Sequence, residues 1–513
     1  MTDNSSNSKR IAINTILLYI RMFVTMIVGL FTSRVILDSL GILDFGIYNV
    51  VGGFVSMFAI VRSGLVSSTQ RFIAFDLGKG NTERLNKTFS TITLIYIILC
   101  LVVLIIAESI GYWFIEQKLN IPIDRTYAAK WVFQLSLLTL VATLLSSPYN
   151  SLIIAHERMK AFAYITIYEV FAKLVVAYIL FITHYDKLIV YAILLCIVQL
   201  SVPLMYWIYC RFQFHSESKI HFCLEWKKIK EIYAFAGWSM MGGFAHLGFT
   251  QGLNMLLGAF FSPVVNAARA IAVQVQGIVT QFFTNFQMAV DPQIIKSYAR
   301  GDSDYMSNLV CSSSRLSYYL LLFISLPIMV EAETLLHWWL IDVPEYTSLF
   351  FRLIIVSTMF DAISNPYGKA IHATGNIRNY QLVCSLTLIS IVPIAYIVLL
   401  LGGAPYTVFV VHIIMGFVAM MFRIFFADRI AGIPFFDFIR HTGRSILIVT
   451  IFSPIVPLVA HFLIGNPLPR FFTVGISAII SVATWTYFAG LTGKEKNILR
   501  NKAKEYIRMS PFR

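Results

Sequence analysis

The sequence predicts an all-α polytopic membrane protein with about 14 transmembrane helices, and three observations carry that reading. Of 513 residues, 58% are apolar and only 13% are charged, whereas soluble domains sit at about 45–50% and 25%. Mean hydropathy is +0.74 over the whole chain, and apolar runs recur from Ile11 to Leu491. At roughly 20 residues per span plus short connections, this length holds about 12 to 14 helices. A soluble enzyme with one anchor is excluded. So is a membrane β-barrel, which would show alternating segments of about ten residues rather than continuous Leu, Ile, Val and Phe runs.

The elements follow in order. A polar tail (1–10) ends in Lys9 and Arg10. The first span, 11–33, is too long for a signal h-region and no small-x-small cleavage site follows it, so it reads as a retained helix. Spans near 46–66, 90–115, 131–154, 163–183 and 188–210 complete a first group of six helices (11–210). A basic linker (211–231) leads to spans near 232–256, 263–290, 314–336, 349–371, 380–401 and 405–427, a second group (232–427). Two extra C-terminal helices, 445–464 and 470–491, occupy 428–491, and a basic tail (492–513) follows. The second and eighth spans are the least apolar, being rich in Gly, Asn, Gln and Ser.

Cations set the orientation. With the N-terminus inside, 28 of the 40 Lys and Arg residues fall on inside segments or at the inner ends of spans, six on outside connections and six deeper within spans. The positive-inside rule then places both termini in the cytoplasm. It also explains the net charge of +14 as topology plus attraction to anionic membrane lipids, with no need for nucleic acid. The run KEKNILRNKAKEYIRM in the tail reads as a topology anchor or as an amphipathic surface helix. Six cysteines include no CxxC or Cys/His metal spacing, and Cys210, Cys223 and Cys311 lie in or beside inside connections. Neither disulfides nor structural zinc are expected.

Two motif pairs suggest a duplication. SPYNSLIIAHERMK (147–160) matches NPYGKAIHATGNIR (365–378), with Pro148 over Pro366, Tyr149 over Tyr367, Ile153 over Ile371 and Ala155 over Ala373, an offset of 218. RFIAFDLGKGN (71–81) matches PQIIKSYARGD (292–302), with Gly80 over Gly301 at an offset of 221. Six helices separate corresponding points, so the expectation is two parallel six-helix repeats about an axis along the membrane normal.

Ionisable residues inside spans are costly unless they face water or a partner. Arg21 lies near the middle of the first span, about ten residues or roughly 15 Å from either interface, and arginine does not escape by deprotonating. It marks either a hydrated cavity or a buried ion pair. Arg62 sits among Ser63, Gly64, Ser67, Ser68 and Thr69, where snorkelling competes with cavity lining. Arg269 shares a polar stripe with Asn266, Gln276 and Thr280, either lining a cavity or bonding to another helix. Glu169 and Lys173, spaced i,i+4, form an intrahelical pair by default, with ion coupling as the alternative. Asp361 would hold Na⁺ or H⁺, or pair with a neighbouring arginine. His246 and His412 read as packed imidazoles. No GxSxG elbow, P-loop, HExxH or paired catalytic carboxylates occur, so the chain does not read as an enzyme and needs no cofactor. Three arginines with few acids suit an anionic ligand, notably a pyrophosphate that guanidinium groups bind bidentately.

The fourteen spans, the duplication and the run GIYNVVGGFVSMFAIVRSGLVSSTQRFIAFDLGKGN (46–81) resemble the multidrug/oligosaccharidyl-lipid/polysaccharide (MOP) exporter superfamily. SPYNSLIIAHERMKAFAYITI (147–167) resembles its polysaccharide branch, the Wzx-type O-antigen and capsule repeat-unit flippases. The likeness covers most of the chain, through loose motifs. It implies a flippase of the bacterial inner membrane that moves undecaprenyl-pyrophosphate-linked oligosaccharide outward by alternating access, with other polysaccharide-assembly proteins as partners. Lipid II flippases of this superfamily carry arginines on the first, second and eighth helices, and the resemblance therefore assigns substrate binding to Arg21, Arg62 and Arg269. Their extra C-terminal helices form a lipid-tail groove, to which 445–464 and 470–491 would correspond. Asp361 and Glu169 are the candidates for a coupling ion, Na⁺ or H⁺. Two alternatives stand beside this reading: a multidrug cation antiporter, which needs an acidic cavity, and a membrane glycosyl polymerase or acyltransferase, which needs a large outside loop or paired catalytic groups.

Overall fold

The computed structural model describes residues 2–56, 59–117, 122–221, 225–340, 342–493, 495–497 and 500; Cys223 lies outside them. Among these residues every regular element is a helix. In chain order they are α1 (Thr2–Ser56), α2 (Ala59–Lys79), α3 (Thr82–Gln117), α4 (Thr126–Ala155), α5 (Met159–Ile182), α6 (Lys187–Gln213), α7 (His215–Ser218), α8 (Trp226–Phe260), α9 (Pro263–Arg300) and α10 (Ser303–Val330). They continue with α11 (Ala332–Trp339), α12 (Thr347–Thr374), α13 (Arg378–Ile389), α14 (Ile391–Leu400), α15 (Thr407–Ala431), α16 (Phe435–Asp437), α17 (Arg444–Phe452), α18 (Ile455–Leu463) and α19 (Pro467–Trp485). Within α1, Gly41 has φ 77 and ψ 167, which breaks the helix into two pieces; glycine takes this conformation without a Cβ clash.

Eleven helices among the described residues are long and apolar enough to cross a membrane. They coincide with eleven of the fourteen expected spans. The other three fall on the end of α1 with α2, where the described residues are interrupted, and on α8 and α9, which are helical but less apolar. The reason is plain in α9, where Asn266, Arg269, Gln274, Gln276, Gln281 and Asn285 interrupt the apolar residues. Such helices cannot face lipid on all sides.

The chain divides into two compact units, Met1–Phe244 with Met288–Asp302, and Ala245–Gln287 with Ser303–Arg513. In the first unit Val35, Ile36 and Leu40 of α1 pack with Val176, Ala177 and Leu180 of α5 and Tyr191 of α6. Lipid is as apolar as these side chains, so close van der Waals packing holds such helices together rather than water exclusion. At Gly78 a Cβ would come within 2.9 Å of the Lys296 carbonyl oxygen and 2.7 Å of the Ala299 Cβ. Only glycine lets the end of α2 lie this close to α9. In the second unit Phe283, Phe350, Ile355, Ala362 and Phe409 form the buried centre.

The duplicated motifs share local geometry. Gly80 and Gly301, which end α2 and α9, have φ 69 and 79. At the 218-residue offset Glu157 stands over Gly375, with φ 61 and 84, each just past a helix that contains a proline. A left-handed glutamate costs about 1–2 kcal/mol, and its surroundings compensate. The Glu157 carboxylate is fully buried and takes Arg10 Nε at 2.8 Å, Lys296 Nζ at 2.6 Å and Gln293 Nε2 at 2.8 Å, while its carbonyl accepts from Asn14 Nδ2 at 3.1 Å. Burial pulls the Lys296 ammonium below the ordinary lysine range, against the opposing pull of Glu157. Asp76 forms a second such node in this unit, with Arg84 at 2.9 Å, Lys228 at 3.8 Å and the Thr88 hydroxyl. Glu157 is therefore a structural tie between α1, α9 and the α4–α5 turn.

Candidate functional site

A cavity of about 590 Å³ opens within the first unit, a size typical of ligand pockets. Helices α1, α2, α4, α5 and α6 supply its walls. Arg21 reaches it from α1 and Arg62 from α2, so the structure brings two of the three sequence-identified arginines to one space. The Arg21 guanidinium carbon lies 4.7 Å from the Phe162 ring centroid, a cation–π contact that holds the side chain without neutralising it. Arg62 Nε donates to Ser147 Oγ at 3.1 Å, and the Ser147 hydroxyl in turn donates to the Thr143 carbonyl at 2.9 Å. Both arginines are thus held by uncharged groups in these contacts.

Glu169 lines the same cavity from α5. Its Oε1 accepts from Lys173 Nζ at 2.6 Å, the expected i,i+4 pair, and from Gln199 Nε2 of α6 at 3.2 Å. One wall escaped the sequence reading. Ser136, Thr139, Thr143, Ser146 and Asn150 of α4 all line the cavity. Their 3-4-3-4 spacing puts them on a single helix face, and that periodicity is present in the sequence of an otherwise apolar span.

The second unit treats its charges differently. Arg269 is 7% exposed; its Nη1 donates to Asn254 Oδ1 at 3.0 Å and its Nη2 to the Thr250 carbonyl at 2.8 Å. It bridges α9 to α8 and does not line the 590 Å³ cavity. Asp361 pairs with Arg423 at 3.2 Å, and the same guanidinium nitrogen also reaches Ser364 Oγ at 3.0 Å and Asn365 Oδ1 at 2.8 Å. This is the arginine-partner alternative for Asp361. His412 Nε2 contacts Ser357 Oγ at 3.0 Å, and with His246, Asp361 and Arg423 it lines a small pocket of about 30 Å³, room for about one water. Buried Arg315 of α10, which sequence reasoning passed over, binds Glu495 at 3.0 Å, Ser312 Oγ at 3.2 Å and the His441 carbonyl at 3.0 Å. No group of three His, Cys, Asp or Glu residues that could hold a metal occurs among the described residues.

An all-helical fold with eleven membrane-competent helices and a basic, hydroxyl-lined interior defines a multi-pass membrane protein with a polar internal site. Comparison with known proteins is more specific. The family model for polysaccharide biosynthesis proteins matches residues 11–298, and the chain belongs to that family. A search of curated proteins finds no match. Among solved structures, a MATE protein in the bent conformation aligns with TM-score 0.71 at 13% identity over 83% of this chain and 96% of its own. An outward-facing multidrug resistance MATE transporter of the MOP superfamily gives 0.67 at 13% identity over 82% and 96%. A MOP superfamily transporter from Pyrococcus furiosus, described as having a binding pocket of reverse polarity, gives 0.65 at 13% identity over 82% and 96%. At these identities the likeness is one of fold: the chain has the MATE-like fold.

Proposed function

We propose that this protein is a lipid-linked oligosaccharide flippase, moving undecaprenyl-pyrophosphate-linked repeat units from the cytoplasmic to the outer leaflet of a bacterial inner membrane. One observation carries the reading: Arg21 and Arg62, from different helices, line one cavity whose remaining polar wall is hydroxyl and amide groups with a carboxylate, Glu169, that Lys173 and Gln199 engage. Guanidinium groups match a pyrophosphate bidentately, and they are tolerable inside a membrane because the cavity is polar. In this reading Arg21 and Arg62 hold the pyrophosphate, the polar cavity shields the sugars, and the polyprenyl chain stays in lipid. Arg269, tied to α8, serves the second unit's shape and meets substrate only if the Asn254 bond is exchanged. Paired turns at Gly80 and Gly301, and at Glu157 and Gly375, support two parallel six-helix repeats, 11–210 and 232–427, that would rock in alternating access. The cation distribution supports cytoplasmic termini. Asp361 and Glu169 remain the proposed sites for a coupling Na⁺ or H⁺, through exchange of their present partners. The drug-cation alternative is less well served, because Glu169 is the one carboxylate lining the cavity among the described residues and Lys173 and Gln199 already engage it.

The test is reconstitution. Wild-type protein in proteoliposomes should translocate an undecaprenyl-pyrophosphate oligosaccharide, and Arg21→Ala should reduce the rate at least about a hundredfold with folding intact, the loss expected when a charged, desolvated hydrogen-bonding partner goes. Arg21→Lys keeps the charge without the planar fork and should retain partial activity. Normal translocation by Arg21→Ala defeats the pyrophosphate assignment. Efflux of a cationic dye in place of glycolipid transport would favour the antiporter.

A further inference from the structure

The α4 wall has a chemical polarity of its own. Thr139 Oγ1 donates to the Ser136 carbonyl at 2.8 Å, Thr143 Oγ1 to the Thr139 carbonyl at 2.8 Å, and Ser146 Oγ to the Thr143 carbonyl at 2.9 Å. A hydroxyl has one proton and two lone pairs. Back-bonding to the preceding turn uses the proton, so what these side chains offer a ligand is lone pairs. Glu169, on α5, lines the same cavity but already accepts from Lys173 and Gln199. Arg21 and Arg62 are the reverse, donors without acceptors.

The cavity is therefore divided into a donor region that takes an anion and an acceptor face that takes O–H or N–H donors. Each simpler ligand fails one half. A bare polyphosphate, all acceptors, would meet oxygen lone pairs along α4. An organic cation would meet two guanidinium groups. An apolar molecule would leave the acceptors dry and unpaired, at a cost that grows with each. A phosphate-linked polyol satisfies both halves. The back-bonded oxygens from Thr139 to Ser146 extend about 10 Å along the helix, longer than a single sugar ring.

We infer that the α4 face, centred on Thr139 and Thr143, is the glycan-reading surface of the cavity: it binds the hydroxyl and amide donors of the saccharide and sets selectivity for a glycosylated over a bare polyprenyl pyrophosphate. This inference rests on the flippase reading and adds the residues that distinguish the sugar from its carrier.

The experiment titrates purified protein with two probes, sugar-free undecaprenyl pyrophosphate and the undecaprenyl-pyrophosphate oligosaccharide extracted from cells in which the protein supports export. Wild type should bind the glycosylated probe about tenfold more tightly, what two ordinary hydrogen bonds supply. The isosteric double variant Thr139→Val/Thr143→Val should bind the bare probe within about twofold of wild type and lose the preference. Thr143→Ser keeps the back-bonded oxygen and should keep the preference. A double variant that retains the preference, or weakens equally for both probes, overturns the inference. Wild type binding both probes equally overturns it too, while leaving the pyrophosphate assignment of Arg21 standing. Wild type binding neither probe removes the flippase reading and this inference with it.

Discussion

In the first unit Arg21 and Arg62 line a 590 Å³ cavity and rest on an aromatic ring and a serine hydroxyl; in the second, Arg269 and Arg423 are bonded to amide, carbonyl and carboxylate oxygens of neighbouring helices. The contrast separates two uses of the same side chain. An arginine whose donors meet fixed acceptors has its desolvation compensated and acts as a cross-link. An arginine at a cavity wall, as Arg21 and Arg62 are, is in the proposed reading the one that engages an anion arriving later. Presence within a span marks both kinds equally, so only the surroundings tell a ligand site from a staple.

The sharpest way to break this comparison is to remove Arg62. Arg62→Ala should lower translocation at least about tenfold, with unchanged expression and thermal melting, because the bond lost within the protein is one to a serine. A fall in melting temperature equal to that of the second-unit variants would erase the distinction.

Removing Arg423 should do the opposite. Arg423→Ala leaves Asp361, Ser364 and Asn365 without their shared donor. Asp361 is half exposed, so the cost is set below that of a fully buried pair, at about 1–3 kcal/mol. The checks are a drop of several degrees in melting temperature in detergent and a translocation rate per folded molecule within about threefold of wild type. Full stability together with lost transport would make Arg423 itself part of the coupling machinery with Asp361.

Arg269→Gln should have a smaller effect, about 1 kcal/mol, since the amide can replace one of two donors to Asn254 and the Thr250 carbonyl. It should not change binding of the bare polyprenyl pyrophosphate. Weakened binding would restore Arg269 to the substrate site.

Much of this was legible in the sequence, and the limits have physical causes. Apolar runs revealed eleven helices directly, because crossing a bilayer demands a length and composition that soluble packing does not. The second and eighth spans were the weak ones, and in the eighth, α9, the reason is its Asn, Gln and Arg residues, which a helix facing lipid on all sides would not carry. Arg21 and Arg62 stood out because burying a charge in lipid is costly anywhere. Their shared cavity depends on where five helices pack, which no local pattern records. The α4 ladder was within reach of periodicity but was masked by the surrounding leucines. Partners of Arg269 were invisible because one is a backbone carbonyl, and the Glu157 node joins residues 139 and 147 positions away.

The smallest effect tests whether the second unit's staple pattern extends to the chain beyond α19. Glu495 is largely buried against Arg315 and Ser312. Burial alone would raise its carboxyl, but Arg315, the Thr492 backbone N–H and the Ser312 hydroxyl together outweigh it and hold it below the ordinary glutamate value of 4.5. A carboxylate depressed in the folded state stabilises above its unfolded value and loses that contribution as pH falls through the folded one. Docking of Thr492 and residues 495–497 should therefore be intact at neutral pH and weaken only below about pH 4.5, read as rising protease cleavage or amide exchange around Glu495. Glu495→Gln should make cleavage higher at neutral pH and flat across the acid range, while translocation by the Arg21–Arg62 cavity is unchanged. Acid release that persists in Glu495→Gln would assign the titration to another group and leave Arg315 as a packing residue alone.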